Sequence, residues 1–380
     1  MSVWSQSLIS RSQHVEQTQC NGVIPGTGNC GEESIVLGRM QNGWTDNHVM
    51  KHSIRPDQPD LNARPWFARL HPSLFGIVLG LLGLSGAWQR LQGLGVTLAE
   101  PVSMALLVLA LALLAMLLML WLVKLIRHPA VLRQEWGHPV QGALLALLPV
   151  STLMAVVLIV GRWPEWCTPL LPLTLVVLAG QGVMAWHVVA DLSTGKTPAE
   201  FVTPALYLPT VPGGFVGAMA LQALDMHGWA ALLLGMGLGA WALLEMRILH
   251  RLFAGPLPPA LRPTLGLEMA PAAVGALAVV TLWPGLHADA MMVMLGVASG
   301  PVLAVLTRWR YWSEVPFNPG FWSFSFPLAA LAGATVAAVD AGGWPLEVSV
   351  TAVGIASVVI AFLMVRTLVL AVQGRLLPPA

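Results

Sequence analysis

Charged residues are scarce in this sequence. Only 10% of its 380 residues are Asp, Glu, Lys or Arg, whereas soluble domains carry about 25%. Hydrophobic residues make up 56% of the chain, and this combination excludes an ordinary soluble protein and indicates an integral membrane protein. The formal net charge of +1 gives no basis for binding to nucleic acid, so we expect no nucleic-acid partner.

Cysteine and catalytic motifs are scarce as well. Cys20, Cys30 and Cys167 are too few for a disulfide framework, and the spacing of Cys20 and Cys30 from His14 matches no standard metal site. The sequence contains no zinc-protease, phosphate-loop or serine-nucleophile motif. We therefore expect no enzymatic activity, no metal and no cofactor.

Long hydrophobic runs occupy most of the chain after residue 65. Ten of them approach the roughly 20 residues that a helix needs to cross a bilayer, and none alternates in polarity as membrane β-strands do. Because the loops between them are short, the sequence predicts an all-α membrane domain over residues 66–375 with ten transmembrane helices. The runs span about residues 72–91, 102–125, 139–160, 168–191, 204–224, 228–249, 263–283, 289–308, 320–340 and 347–372.

Residues 1–65 differ from this domain in composition. They are polar, rich in Gly, Asn, Gln and Ser, and show little apolar periodicity, which predicts a disordered tail. They also lack the apolar stretch of a signal peptide. Met50 precedes the polar sequence KHSIRPDQPD and would serve as a start, so we hypothesise that residues 1–49 are absent from the mature protein.

Positive charges predict the orientation in the membrane. When both termini and the even-numbered loops are placed on one side, only Arg90 and Arg162 lie on the other side, out of 19 Lys and Arg residues. Cytoplasmic loops of membrane proteins carry the excess of Lys and Arg. The sequence therefore predicts that both termini are cytoplasmic, which requires an even number of spans.

Prolines recur at a regular spacing in the odd-numbered runs. Pro319 opens the ninth run and Pro327 follows eight residues later inside it. The fifth and seventh runs repeat this pattern, the second proline of the third run follows ten positions after the first, and the first run has Gly80 at the second position. A proline inside a helix kinks it, and a regular period indicates repeated units. We therefore predict five units, each a kinked helix followed by a return helix.

Small residues and prolines cluster around these predicted kinks. Five kinked helices can surround a central passage, with the return helices outside and small side chains lining it. Small residues also allow helices to pack closely in a membrane, so a single glycine does not distinguish the two roles. The residues that we assign to the lining or to the kinks are Gly76, Gly80, Gly83, Pro149, Pro212, Gly213, Gly217, Pro271, Gly275, Ser323, Pro327 and Ala330.

Three side chains in the odd-numbered runs are candidates for a specific role. Phe324 and Phe326 precede the predicted kink at Pro327, where an aromatic ring can close a narrow passage or simply pack. Glu268 lies inside the seventh run, where a carboxylate is costly and by default marks a functional site. Proton or ion coupling is one hypothesis for Glu268. The alternative is an ion pair with Arg262 or with a neighbour near the cytoplasmic surface, or simple protonation.

Five segments together resemble the tellurite-resistance/dicarboxylate transporter family (TehA type), to which the plant slow anion channels are related. They cover about residues 65–375 and read HPSLFGIVLGLLGLSGAW, HPAVLRQEWGHPV, TPALYLPTVPGGF, LRPTLGLEMAPAAV and PFNPGFWSFSFP. The resemblance implies five helical hairpins in a quasi-fivefold arrangement around a central pore, with one pore in each subunit of a homotrimer. It also implies that a phenylalanine of the ninth span occludes the pore, and SFSFP assigns this role to Phe326, with Phe324 as the second choice.

The resemblance leaves three functions open. The first is a gated channel for small anions such as chloride and nitrate, in a bacterial inner membrane. The second is a proton-coupled carrier of dicarboxylate, sulfite or tellurite-related anions that uses Glu268, a departure from the neutral residue expected at that position. The third is a membrane scaffold that acts through its tail and transports nothing.

Overall fold

The computed structural model describes residues 66–377, which are helical and contain no β-strand. The polar tail predicted for residues 1–65, including Cys20 and Cys30, lies outside the described residues. The hypothesis about residues 1–49 lies outside them too and stays a prediction.

Thirteen α-helices occur between residues 66 and 377. Their bounds are α1 Phe75–Gly93, α2 Ala99–Arg127, α3 Pro129–Gly137, α4 Pro139–Leu144, α5 Leu147–Arg162, α6 Cys167–Ser193, α7 Val211–Ala223, α8 His227–Phe253, α9 Ala270–Leu282, α10 Ala288–Thr307, α11 Trp309–Ser313, α12 Ser325–Gly342 and α13 Leu346–Val372. Short 3-10 helices connect several of them, at Trp66–Arg69, Pro72–Leu74, Pro164–Trp166, Ala199–Phe201, Pro204–Tyr207, Pro259–Met269 and Pro319–Phe324.

Ten helical spans among the described residues are long and apolar enough to cross a membrane, which confirms the predicted number. Each coincides with one predicted run, and the ends differ by a few residues. The spans are Pro72–Gly93, Ala99–Arg127, Pro139–Arg162, Pro164–Ser193, Pro204–Ala223, His227–Phe253, Pro259–Leu282, Ala288–Thr307, Pro319–Gly342 and Leu346–Val372.

The odd-numbered spans form the inside of the bundle and the even-numbered spans the outside. In the most apolar window of each odd span, 72–94% of the residues are buried, whereas the corresponding share in the even spans is 17–28%. The inner helices are α1, α5, α7, α9 and α12, and the outer helices are α2, α6, α8, α10 and α13. A return helix outside each inner helix is the arrangement that the sequence predicted.

The inner helices contact one another in a closed cycle, from α1 through α5, α7 and α9 to α12 and back to α1. Each outer helix packs against the inner helix before it and the next inner helix of the cycle. The five segments that precede the inner helices also contact one another in a cycle, so all of them lie at the same end of the bundle. We call these the proline segments: Pro72–Leu74, Pro139–Leu144, Pro204–Tyr207, Pro259–Met269 and Pro319–Phe324.

The second proline of each pair lies where the span changes from its proline segment to a regular α-helix, and a kink at this position stays a prediction. Pro149 and Pro327 are the third residues of α5 and α12, and Pro212 and Pro271 are the second residues of α7 and α9. Each of them begins a new α-helix after a proline segment. Because the first N–H groups of a helix have no partner within it, the missing N–H of proline costs nothing at these positions.

Glycines allow α1 and α12 to approach closely. A Cβ atom on Gly80 would lie 2.2 Å from Ser325 Oγ, and one on Gly76 would lie 3.3 Å from Trp322 Cβ. The Ser325 hydroxyl donates a hydrogen bond to the Trp322 carbonyl (2.7 Å), and the Trp322 indole donates to Thr367 Oγ1 on α13 (2.8 Å). The first hairpin and the last hairpin of the domain are therefore held together by one buried cluster.

We predict that Gly80→Ala destabilises the protein by about 1–3 kcal/mol, the usual cost of overpacking, because the added methyl group must displace Ser325. Gly93→Ala is the control, since a Cβ atom on Gly93 would have no neighbour within 4 Å. Thermal unfolding of the detergent-purified protein should give a lower melting temperature for Gly80→Ala only. Equal melting temperatures for the two variants would contradict this account of the α1–α12 contact.

Candidate functional site

Two cavities lie inside the cycle of inner helices. The proximal cavity, of about 690 Å³, is lined by four of the five proline segments, all but Pro204–Tyr207, and by the beginnings of the inner helices. The distal cavity, of about 350 Å³, is lined by later turns of the same helices. Each cavity receives residues from α1, α5, α7, α9 and α12, so the two follow one another along the inside of the bundle.

Phe326 lies at the border of the two cavities. Its side chain lines the proximal cavity, while Gly83 and Ala329 line the distal cavity. A Cβ atom on Gly83 would lie 2.8 Å from Cδ2 of the Phe326 ring, so the ring rests directly on this glycine. Phe326 is 4% exposed, and its ring therefore fills the space at the border of the proximal and distal cavities.

Phe324 occupies a different environment. It lines neither cavity and belongs to an aromatic cluster, with ring centroids 4.8 Å from Trp312 and 6.2 Å from Phe321. Phe321 in turn stacks on Phe317. Of the two phenylalanines that the resemblance ranked first and second, only Phe326 thus lines a cavity.

Two histidines present N–H donors at the proximal cavity. His71 Nδ1 accepts a hydrogen bond from the Ser73 N–H (3.2 Å), and His138 Nδ1 accepts from the N–H groups of Val140 and Gln141 (3.2 and 3.3 Å). A ring nitrogen that accepts carries no proton, so in each neutral ring the proton is on Nε2. Both histidines line the cavity and were not among the residues that the sequence singled out, although each directly precedes a proline that opens a run.

Burial is the main cause of a low pKa for His71. It lowers the pKa from 6.5 to about 4, with smaller contributions from the positive charges of Lys124 and His138. His71 is therefore neutral at pH 7 and acts at the cavity as a hydrogen-bond donor without a charge.

Backbone groups add positive potential at the same place. All five proline segments lie at one end of the bundle, so the amino-terminal ends of the five inner helices meet around the proximal cavity. Unpaired N–H groups at a helix start carry partial positive charge and favour anions. Asn318 Oδ1 accepts from the Gly320 N–H (2.9 Å) at one of these starts, and both residues line the cavity.

The segment after α13 also reaches the proximal cavity. Arg375, Leu376 and Leu377 contribute to its lining, and the chain turns towards it at Gly374, which has a positive φ of 65°. The sequence contained no signal for this contact, because the segment is short and follows the last span.

The structure divides the small residues and prolines that the sequence assigned to a passage. Gly76, Pro212, Ser323 and Pro327 line the proximal cavity with Phe326, and Gly83 lines the distal cavity. The others line neither cavity: Gly80, Pro149, Gly213, Gly217, Pro271, Gly275 and Ala330.

Several of these other glycines serve helix packing instead. A Cβ atom on Gly213 would meet Gln181 of α6, one on Gly217 would meet Leu178 of α6 and Leu233 of α8, and one on Gly275 would meet Phe215. Close packing was the alternative that the sequence left open for single glycines.

Glu268 is buried and lines neither cavity. It is 9% exposed, and its Oε1 has no hydrogen-bond partner among residues 66–377. The ion pair with Arg262 that the sequence suggested is not formed. Arg262 instead pairs with Glu314 (2.9 Å) and lies 4.4 Å above the Tyr311 ring, because it points towards α11 at the end of the bundle.

Metal-binding clusters of His, Cys, Asp and Glu are absent from the part of the chain that the structure describes. The candidate site therefore consists of two cavities, hydrogen-bond donors and helix amino termini around the proximal cavity, and one aromatic ring between the cavities.

A bundle of ten membrane-spanning helices with internal cavities is compatible with the class of channels and transporters. Residues 69–372 match the profile of the family described as voltage-dependent anion channel, and the chain belongs to this family. It is thus a multi-pass integral membrane protein of a family of anion channels or transporters.

The chain is also similar to a curated protein of Haemophilus influenzae (strain ATCC 51907 / DSM 11121 / KW20 / Rd), the tellurite resistance protein TehA homolog. The two are 31% identical over 304 residues, which cover 79% of this chain and 90% of the relative. The family resemblance inferred from five segments of the sequence is therefore confirmed.

We predict that His71 makes the protein sensitive to acid. Between pH about 6.5 and 4 the unfolded chain binds a proton at this position and the folded chain does not, so the free energy of unfolding falls as the pH falls. His71→Asn retains an acceptor for the Ser73 N–H and should reduce this loss by at most about 3 kcal/mol. Melting temperatures of the two proteins across this pH range measure the effect.

His287→Asn is the matched control. His287 caps α10 in the same way, since its Nδ1 accepts from the Asp289 N–H (3.3 Å), but its side chain is 80% exposed. Acid sensitivity should stay unchanged in this variant. If His71→Asn also leaves the acid sensitivity of the protein unchanged, His71 is not the cause of that sensitivity.

Proposed function

We propose that the protein is a gated channel for small anions such as chloride and nitrate, in which Phe326 closes the passage between the proximal and distal cavities. The position of the Phe326 ring against Gly83 is the observation that carries this proposal. In this role the inner helices form a quasi-fivefold arrangement around one pore. The cyclic contacts among the inner helices and among the proline segments support it.

The proximal cavity is proposed to face the cytoplasm, with both termini on that side. The asymmetry of Lys and Arg supports this orientation. We further propose a bacterial inner membrane and a homotrimer with one pore in each subunit, as the family resemblance implies.

The chemistry of the proximal cavity suits an anion that must also leave. Neutral N–H donors and helix amino termini attract an anion, while a site built from several cationic side chains would hold it more tightly. Conduction requires binding that is favourable enough to admit the ion and weak enough to release it. The donors of His71 and His138 fit this requirement because neither ring needs a charge to donate.

Phe326→Ala should increase anion conductance at least tenfold. We expect this increase because the substitution removes a bulky apolar ring from the border of the two cavities and leaves space for a hydrated anion. Single-channel and macroscopic currents of the purified protein in liposomes or oocytes, with chloride replaced by nitrate, measure the effect.

Phe324→Ala is the matched control, because it removes the same side chain two residues away from a position that lines neither cavity. Its conductance should stay near that of the unaltered protein. If Phe326→Ala raises neither current nor open probability, the assignment of the gate to this ring is wrong.

Proton-coupled transport of dicarboxylate, sulfite or tellurite-related anions is the second candidate function. Buried Glu268, with an oxygen that lacks a hydrogen-bond partner in the described residues, favours it. The charged groups that act on Glu268 are Glu245 and Arg308, and Tyr207 lies close by and donates to Glu245 (2.5 Å). The tellurite resistance in the name of the Haemophilus relative suggests the substrate class.

Glu268→Gln separates the two candidate functions. A coupled carrier should show saturable uptake driven by a proton gradient, and Glu268→Gln should abolish this drive because glutamine cannot exchange a proton. A channel should show flux that follows the anion gradient alone, in both proteins. Uptake into proteoliposomes with and without an imposed pH gradient measures the difference, and gradient-independent flux in both proteins would exclude the carrier.

A further inference from the structure

Arg90 is a cation placed inside the bundle. It lines the distal cavity on α1, seven residues after Gly83, which touches the Phe326 ring. Seven residues are about two helical turns, so Arg90 and Gly83 lie on the same face of α1, about 10 Å apart along its axis. Arg90 is thus the cationic side chain that lies beyond the ring, on the side of the distal cavity.

No carboxylate compensates the charge of Arg90 within residues 66–377. The ion pairs of this range are Lys124–Glu135, His187–Asp191, Arg262–Glu314 and His287–Asp289. Charged groups that leave bulk water are normally paired. A partly buried guanidinium with no acidic partner, directed at a cavity, therefore leaves a position for an anion.

Thr281 holds Arg90 in place and leaves most of its donors available. The Thr281 hydroxyl donates to the Leu277 carbonyl (2.6 Å) and so can accept the hydrogen bond from Arg90 Nη2 (2.7 Å). This is the one hydrogen bond of Arg90 with the described residues. Four of the five N–H groups of the guanidinium remain for a ligand.

The other polar side chains of the distal cavity agree with an anionic ligand. Gln222 accepts a hydrogen bond from His227 Nδ1 at its Oε1 (2.7 Å), so its amide N–H₂ group is left as a donor. Gln89 also lines the cavity, and Asp and Glu do not. The lining thus offers one positive charge and several N–H donors, and no negative charge.

We propose that the distal cavity is a binding site for a small monovalent anion, with Arg90 as its cationic ligand and Thr281 as the residue that positions Arg90. The site prefers a planar oxyanion such as nitrate over a halide, because a guanidinium edge matches two oxygens of a planar anion with two parallel hydrogen bonds. This inference rests on the proposed anion channel function and adds to it a site on the distal side of the Phe326 ring.

Binding and transport are measured separately on the purified full-length protein. Binding is measured as the increase in melting temperature with nitrate or chloride, in a buffer whose counter-anion is gluconate. Transport is measured as anion current in liposomes, in the unaltered protein and in a Phe326→Ala background. The variants are Arg90→Gln, Arg90→Lys and Thr281→Val, and size-exclusion profiles establish that each is folded.

Arg90→Gln should raise the nitrate concentration for half-maximal stabilisation about tenfold or more, the usual effect of losing hydrogen bonds to a charged group. Arg90→Lys keeps the charge but lacks the planar fork, so it should bind chloride and lose the preference for nitrate. Thr281→Val should weaken nitrate binding several-fold, since it removes the acceptor that orients Arg90.

Arg162→Gln is the matched control. In the predicted topology, Arg90 and Arg162 are the two arginines on the side of the membrane opposite the termini. Arg162 also lacks a carboxylate partner among the described residues, but it bonds to Ser103 (3.0 Å) and lines neither cavity. Nitrate binding in this variant should match that of the unaltered protein.

Three results would overturn the site: no nitrate-dependent stabilisation of the unaltered protein, unchanged binding in Arg90→Gln, or an equal loss in Arg162→Gln. Failure of the channel proposal is distinguishable from these. It would appear as an absence of anion current in the Phe326→Ala background, while the melting measurements still decide whether Arg90 binds an anion.

Discussion

The close approach of α1 and α12 is the contact on which the membrane domain depends, because these helices belong to its first and last hairpins and must meet to close the cycle of inner helices. In lipid, helices associate through van der Waals packing, and small residues allow their backbones to approach. Gly76, Gly80 and Gly83 form a stripe on one face of α1, and Gly80 and Gly83 receive Ser325 and Phe326 of α12. The stripe that closes the bundle therefore also contacts the ring that we propose as the gate.

The distribution of polar groups along the inside of the bundle follows from the same arrangement. All inner helices begin at one end, so their amino termini, with the imidazoles of His71 and His138, surround the proximal cavity. The distal cavity has Arg90, and the border between them has only an apolar ring and small residues. In the proposed channel an anion meets the histidine donors and Arg375 at the proximal cavity and Arg90 at the distal cavity, which gives favourable binding on both sides without a strong site at the constriction.

The sequence predicted the architecture well and the individual site residues less well. Ten hydrophobic runs of about 20 residues predicted ten helical spans. A segment that crosses a bilayer must pair its own backbone hydrogen-bonding groups, which a helix does, and a helix of this length crosses the hydrocarbon layer. The pairs of prolines predicted breaks in the inner helices, but not that Pro212 and Pro271 begin new helices, because a proline at a first turn and a proline at a kink look alike in a sequence. Gly213 and Gly217 were assigned to a passage, yet they face the outer helices, because glycine suits a cavity wall and a close helix contact equally.

What the amino-acid sequence determined by itself is the membrane class, the number of spans and their pairing into hairpins, because these depend on local composition, loop length and the repeat of proline. The family resemblance, carried by short segments, narrowed the choice of gate to Phe326 and Phe324. Only the tertiary structure decided which ring lies between the cavities, that Glu268 has no partner in Arg262, and that Arg90 faces a cavity while Arg162 does not. These outcomes depend on the rotation of each helix about its axis and on which neighbour it meets, and both are set by packing among residues far apart in the chain.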